Sequence, residues 1–196
     1  MANNQKKMIG NRKNVMGTEN AQVLQVELNG CHRGYVILSY FGLGHRMRRE
    51  ARIVRLNVFP NTVLFNAKGR PISLCEIRKG MMVDALFSSA MTRSIQPQST
   101  AYLLLEKRRG REATTISTGP IAAIDLENYS LFVGNPWNIG EQQRFNVNGF
   151  TIIRDPFGKA ISFENLRMGQ MVAVAHSTAT TMSIPPQSSA FYIQQM

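Results

Sequence analysis

The chain has 196 residues, a formal net charge of +11, 43% hydrophobic and 18% charged residues. That composition is globular and excludes a disordered chain. No apolar run approaches the roughly 18–20 residues of a membrane span, so no membrane insertion is expected. The charge is uneven: residues 1–110 hold 18 Lys and Arg against 6 Asp and Glu, and residues 111–196 hold 5 against 6.

Residues 1–19, rich in Asn, Lys and Gly, read as a flexible basic tail. The tail lacks the apolar stretch of a secretory signal, so the cytoplasm is the expected location. A strand is expected over residues 23–28, an Asn29-Gly30 turn after it, and a second strand over 34–41. Next comes an arginine-rich insert with Arg46, Arg48, Arg49 and Arg52, read as a long basic hairpin or loop feeding a strand over 53–59 that contains Arg55. Short strands over 62–65, 81–87 and 101–105 follow. Ser73 is placed to cap one helical turn, with Glu76 at the capping-box position and Gly80 ending it.

The chain then repeats itself. Residues 62–104 reappear as 151–193, with about 17 of 43 positions identical. Ser162, Asn165 and Gly169 take the places of Ser73, Glu76 and Gly80. Two bends also correspond, at residues 94–99 and 183–188, where proline lacks a donor and stops the strand. The expected organisation is a tail at 1–19, a basic barrel at 20–106, a linker at 107–116 and a neutral barrel at 117–196. Each copy reads as a small antiparallel β-barrel with about one helical turn, so the fold class is all-β.

The second copy carries Gly119, Ile121, Ile124 and Asp125, then Leu131 and Val133, then Asn165, Leu166, Gly169, Val172 and Val174, and finally Ala190 and Ile193. In these residues it resembles a family of small bacterial β-barrel domains of uncharacterised function. The resemblance implies a barrel like the oligonucleotide/oligosaccharide-binding (OB) fold, without catalytic residues. It covers about 75 residues of the second copy and the first more loosely.

Function is sought in the basic half. OB-like barrels hold single strands with a basic groove and aromatic faces on which bases stack. Arg46, Arg48, Arg49, Arg52 and Arg55 supply the groove; Tyr35, Tyr40 and Phe41 supply the faces. Lys107, Arg108 and Arg109 extend the footprint, because phosphate contacts from basic segments add affinity without sequence preference. The bland reading of the same insert is a solvated loop. The expected function is non-sequence-specific binding of single-stranded nucleic acid or another polyanion. The alternative is a structural adaptor acting through homo-oligomers or peptide capture at a barrel edge.

No enzyme is expected. The chain has no phosphate loop and no nucleophile motif, and no cofactor or metal site is called for. His176 takes the place of Phe87 and reads as a packed histidine. Cys31 and Cys75 have no counterparts in the second copy and are expected to be free thiols.

Overall fold

The computed structural model describes residues 14–43, 49–108, 110 and 113–196. The first half is β1 (Val15–Leu28), β2 (Gly34–Leu43), β3 (Arg49–Val58), β4 (Val63–Phe65), β5 (Met82–Ser88) and β6 (Gln98–Lys107). β1, β2 and β3 form an antiparallel meander, and β5 joins the other side of β1. β6 pairs antiparallel with β5 and parallel with β3, which closes the ring β1-β2-β3-β6-β5. This is the OB topology, a closed five-stranded Greek-key barrel. β4 lies outside the ring, parallel to β6.

The second half repeats it with β7 (Thr114–Asp125), β8 (Ser130–Gly134), β9 (Gln142–Asn146), β10 (Ile152–Arg154), β11 (Met171–Ser177) and β12 (Gln187–Gln195). The ring is β7-β8-β9-β12-β11, again closed by a parallel pair, β9 with β12. The expected all-β class with paired OB-like barrels is what the chain adopts; among the described residues the helical content is one 3-10 turn in the first barrel, Leu74–Glu76, and two in the second, Ile139–Glu141 and Phe163–Asn165.

Alternation along each strand builds the interiors. Val36, Leu38, Tyr40, Val54, Leu56 and Val58 point into the first barrel; Ile121, Leu131, Val133, Phe145, Val172 and Val174 fill the second. Each such side chain contributes about 1.5–3 kcal/mol by leaving water.

Many positions shared by the copies are tied to the backbone. Thr62 and Thr151 donate their hydroxyls to the carbonyls of Ala101 and Ala190, at 2.9 Å in each copy. At the proline bends, Thr92 and Thr181 accept from the amides of Gln98 and Gln187, at 2.9 and 3.0 Å. Arg78 and Arg167 donate to the carbonyls of Cys75 and Glu164, which lie in the 3-10 turns. Side chains of Glu76 and Asn165 accept from the Ser73 and Ser162 amides at 2.8 and 3.0 Å, as the capping-box positions anticipated. The repeated bend is therefore a corner built by its own hydroxyls.

A third apolar cluster joins the barrels. Val15, Val63, Phe65, Leu86, Leu103 and Leu105 meet Ala173, Ala175 and Tyr192, with Tyr102, Ile116, Ile152 and Phe191 against them. The contact is reciprocal, as for a two-fold dimer interface. Gly69, in the turn after β4, lies under the Phe191 ring; Gly158, its counterpart, lies under the Tyr102 ring, the counterpart of Phe191. Both glycines have positive φ, +76° and +82°, and a Cβ on Gly158 would stand 2.6 Å from the Tyr102 ring. Glycine thus serves both the turn and the close approach. The chain is in effect a dimer of OB barrels joined covalently.

Three expectations are corrected. β1 begins at Val15, inside the segment read as tail, because Val15 is needed in the inter-barrel cluster. β6 runs to Lys107 and β7 starts at Thr114, so strand occupies both ends of the expected linker; the Ala113 amide donates to Ala67 at 3.0 Å. Cys31 and Cys75 form a disulfide with Cα atoms 4.9 Å apart, not free thiols. It ties the β1–β2 turn to the 3-10 turn, and Leu74 donates its amide to Cys31 at 2.9 Å beside it. Two segments 44 residues apart in sequence were brought together by ring closure, which spacing alone does not show. The pairing removes the free-thiol argument for a reducing compartment. Among the described residues, no helix is long and apolar enough to cross a membrane.

Candidate functional site

The antiparallel register sorts the β2–β3 hairpin into two faces. Tyr35, Ile37, Ser39 and Phe41 face outward from β2, opposite Asn57, Arg55, Ile53 and Ala51 of β3. On that face the Arg55 guanidinium lies over the Tyr35 ring, its Cζ 3.8 Å from the centroid. Arg55 Nε donates to Asn57 Oδ1 at 3.2 Å, and its backbone amide donates to the Pro97 carbonyl at 2.9 Å. Arg55 sits where β3 changes partner from β2 to β6, so its backbone is held from both sides. Phe41, 73% exposed, and the half-exposed Ile53 continue the surface toward the hairpin end. A planar cation on an aromatic ring beside exposed apolar side chains is a platform on which a flat ring can stack.

The remaining expected residues separate. Tyr40 points inward and belongs to the barrel core, because it is one residue out of phase with Phe41; it is withdrawn from the stacking face. Arg52 is exposed but faces opposite to Arg55, beyond the core layer. Arg46, Arg48 and Arg109 lie outside the described residues, and only the backbone of Arg49 is described, in β3. Lys107 is buried, its Nζ 3.4 Å from Asp84 Oδ2, so it is a structural cation and not a phosphate contact. Burial raises the Asp84 carboxyl above its usual range despite Lys107 and the Asn20 amide that donates to it at 2.8 Å. Arg108 is exposed and paired to Glu106 at 2.8 Å.

The second barrel carries a related couple that the residue-by-residue search passed over. Arg144 stands at the place of Arg55, its amide donating to Pro186 as Arg55 donates to Pro97. Its guanidinium lies 5.6 Å from the Phe132 centroid and donates to Ser130 Oγ at 3.0 and 2.8 Å. The signal was present: Arg144 follows Arg55 by the same shift as the repeat, just upstream of the segment where identity is high.

His176 is the packed histidine expected from its alignment with Phe87. Its ring lies 4.8 Å from Phe145; Nδ1 is 2.7 Å from the Ser177 carbonyl, and Nε2 is 2.9 Å from Ser117 Oγ. Nδ1 donates to the carbonyl, so Nε2 accepts from the serine. Burial holds its pKa below the ordinary histidine value. Among the described residues, no group of three or more His, Cys, Asp or Glu is placed to hold a metal.

No protein-family model matches the chain, and no curated protein does. Among solved structures, it is similar to a deletion mutant of the single-stranded DNA binding protein from Thermus aquaticus. That likeness has a TM-score of 0.27 and 9% identity, over 93% of this chain and 92% of the other. Similarity that slight carries no argument about function, so the reading rests on the site itself.

Proposed function

We propose that the first barrel is a non-catalytic module that binds single-stranded nucleic acid without sequence preference, through the outer face of β2 and β3. The observation that carries it is Arg55 stacked on Tyr35 beside Phe41 and Ile53, on the face that OB barrels commonly present to a ligand. Base faces stack on Tyr35 and Phe41, and the guanidinium adds cation–π attraction and a phosphate partner. The excess of basic residues in this half supplies the long-range attraction. Ring closure supports this reading over strand addition, because among the described residues it leaves only the three-residue β4 and β10 outside the rings.

Fluorescence anisotropy with labelled oligothymidylate tests it. Binding at ~50 mM salt is expected, weakening steeply as salt rises, since each phosphate contact releases counterions. Arg55→Ala and Tyr35→Ala are each expected to weaken it about tenfold, from the 1–3 kcal/mol that one stacked base contributes. Absence of binding at ~50 mM salt, or affinity indifferent to salt, sinks the proposal.

A further inference from the structure

Both barrels hold their first hairpin turn against a 3-10 turn, and they do it differently. In the second barrel Tyr129, the last residue of the β7–β8 turn, lies against Phe163 of the 3-10 turn, ring centroids 6.0 Å apart. In the first barrel Leu74 takes the place of Phe163. There the junction is the Cys31–Cys75 disulfide, with the Leu74 amide donating to the Cys31 carbonyl. Cys75 stands where the second copy has Glu164. Both copies nevertheless build the same 3-10 turn, with the same capping pattern and the same arginine bond to its carbonyl. The junction therefore forms without a covalent bond. What the disulfide adds is a tie that a thiol can undo, a chemistry the ring contact of the second barrel lacks.

The bond is placed for exchange. Cys31 is exposed in the β1–β2 turn, and Cys75 is half-buried. A disulfide opens when a thiolate reaches one of its sulfurs, so access on one side is enough. Exposed Arg33, Arg78 and Lys79 flank the two cysteines in sequence. Arg78 donates to the carbonyl of Cys75 itself, which keeps a guanidinium on the turn whose sulfur must leave as an anion.

The bond also sits at one end of the stacking platform. Glu27 opposite Tyr35 and Leu28 opposite Gly34 are the last two rungs of the β1–β2 pairing before the turn. Gly34 lies against the 3-10 turn, for a Cβ on it would stand 3.0 Å from Leu74 Cδ2. Tyr35, the next residue, holds the Arg55 guanidinium over its ring. Strand ends open before strand centres, and a covalent tie from turn to 3-10 turn opposes that opening.

We infer that the Cys31–Cys75 bond is a redox-labile latch: a dithiol of the Cys-x-x-Cys type opens it in the folded protein, the last rungs of β1–β2 fray, and Tyr35 loses its fixed place under Arg55. A thiolate of the dithiol attacks Cys31 Sγ. The Sγ–Sγ bond breaks, and its electron pair leaves on Cys75 Sγ, which takes up a proton. The second thiol of the dithiol then displaces Cys31 Sγ, which is protonated in turn. The dithiol becomes a disulfide, and two electrons and two protons have passed to the protein. Control falls on the first barrel, because the second has no cysteine. The effect on binding rests on the nucleic-acid reading; the opening of the latch does not.

The test uses the full-length protein in three states: oxidised, treated with dithiothreitol without denaturant, and re-oxidised. Alkylation with mass spectrometry counts thiols, and peptide-resolved hydrogen exchange follows the backbone. Two thiols are expected to appear while the far-UV dichroism of the fold is kept. Protection should fall most over residues 26–36 and return on re-oxidation. Oligothymidylate affinity at ~50 mM salt should fall about two- to tenfold on reduction, the upper bound being the loss of Tyr35 itself, and recover on re-oxidation. The variant with Cys31→Ser and Cys75→Ser should show the reduced protein's affinity with or without dithiol. A bond that resists dithiothreitol until the protein unfolds overturns the inference. So does reduction that leaves protection over residues 26–36 unchanged, or equal affinity in the two states of a protein that binds. If the oxidised protein binds no oligonucleotide, the nucleic-acid reading fails, and thiol count and exchange alone decide the latch.

Discussion

Serine at both Cys31 and Cys75 removes the covalent tie between the β1–β2 turn and the 3-10 turn of the first barrel. The bond closes a loop spanning a sequence separation of 44, which contains β2, β3 and β4. Loop-closure entropy for that length is about 13 cal/mol/K, or ~4 kcal/mol at 25 °C. Residual structure in the unfolded chain reduces the figure, so ~2–4 kcal/mol is the expected loss. With a urea slope of ~2 kcal/mol/M, the midpoint falls by ~1–2 M. The assay is urea unfolding of the oxidised protein, the same protein under a phosphine reductant, and the double-serine variant. Far-UV circular dichroism follows both barrels together, and peptide-resolved hydrogen exchange follows each one separately. The reciprocal apolar contact predicts that both signals move together, because losing one barrel exposes the cluster shared with the other. Equal midpoints for oxidised and reduced protein would refute the loop argument. Through the urea transition, earlier exchange in the first barrel with none in the second would refute the coupling.

Gly158→Ala and Gly80→Ala both place a Cβ at positive φ, at a cost of about 1–2 kcal/mol each. Gly80 has open space around it, whereas Gly158 meets the Tyr102 ring, so chemical denaturation should show the larger loss for Gly158. Tyr102→Ala should recover part of that difference in a double-mutant cycle. Tyr40→Ala should destabilise by ~3–5 kcal/mol through a core cavity, while Tyr35→Ala should leave stability within ~1 kcal/mol and weaken oligonucleotide binding; the reverse pattern would mean the two faces of β2 are misassigned. The His176 pKa is lowered in the fold, so the unfolded chain takes up its proton first. Its contribution is present above the ordinary value of 6.5 and is lost as pH falls through the folded value. His176→Phe, the residue type of the first copy, should flatten the stability profile just below pH 6.5; an unchanged slope would place the titration elsewhere.

Much of this molecule was legible in the amino-acid order. Strand positions followed from alternation, and the repeat showed that one plan was used twice. The 3-10 turns followed from Ser73 and Ser162 with their partners three residues on, because a cap is a local contact. Uneven charge between the halves was a matter of counting. Tertiary structure decided whatever depends on closing a ring. Tyr40 and Phe41 look alike in sequence, yet the pleat sends one inward and the other out. Lys107 resembles Arg108, yet only Lys107 lies buried beside Asp84. Cys31 reaches Cys75 only because the barrel folds its first turn onto its 3-10 turn. Arg55 over Tyr35 joins two strands. Local order along a chain is set by neighbours in sequence; which side chains share a surface is set by strand register and ring closure, which act between residues tens of positions apart.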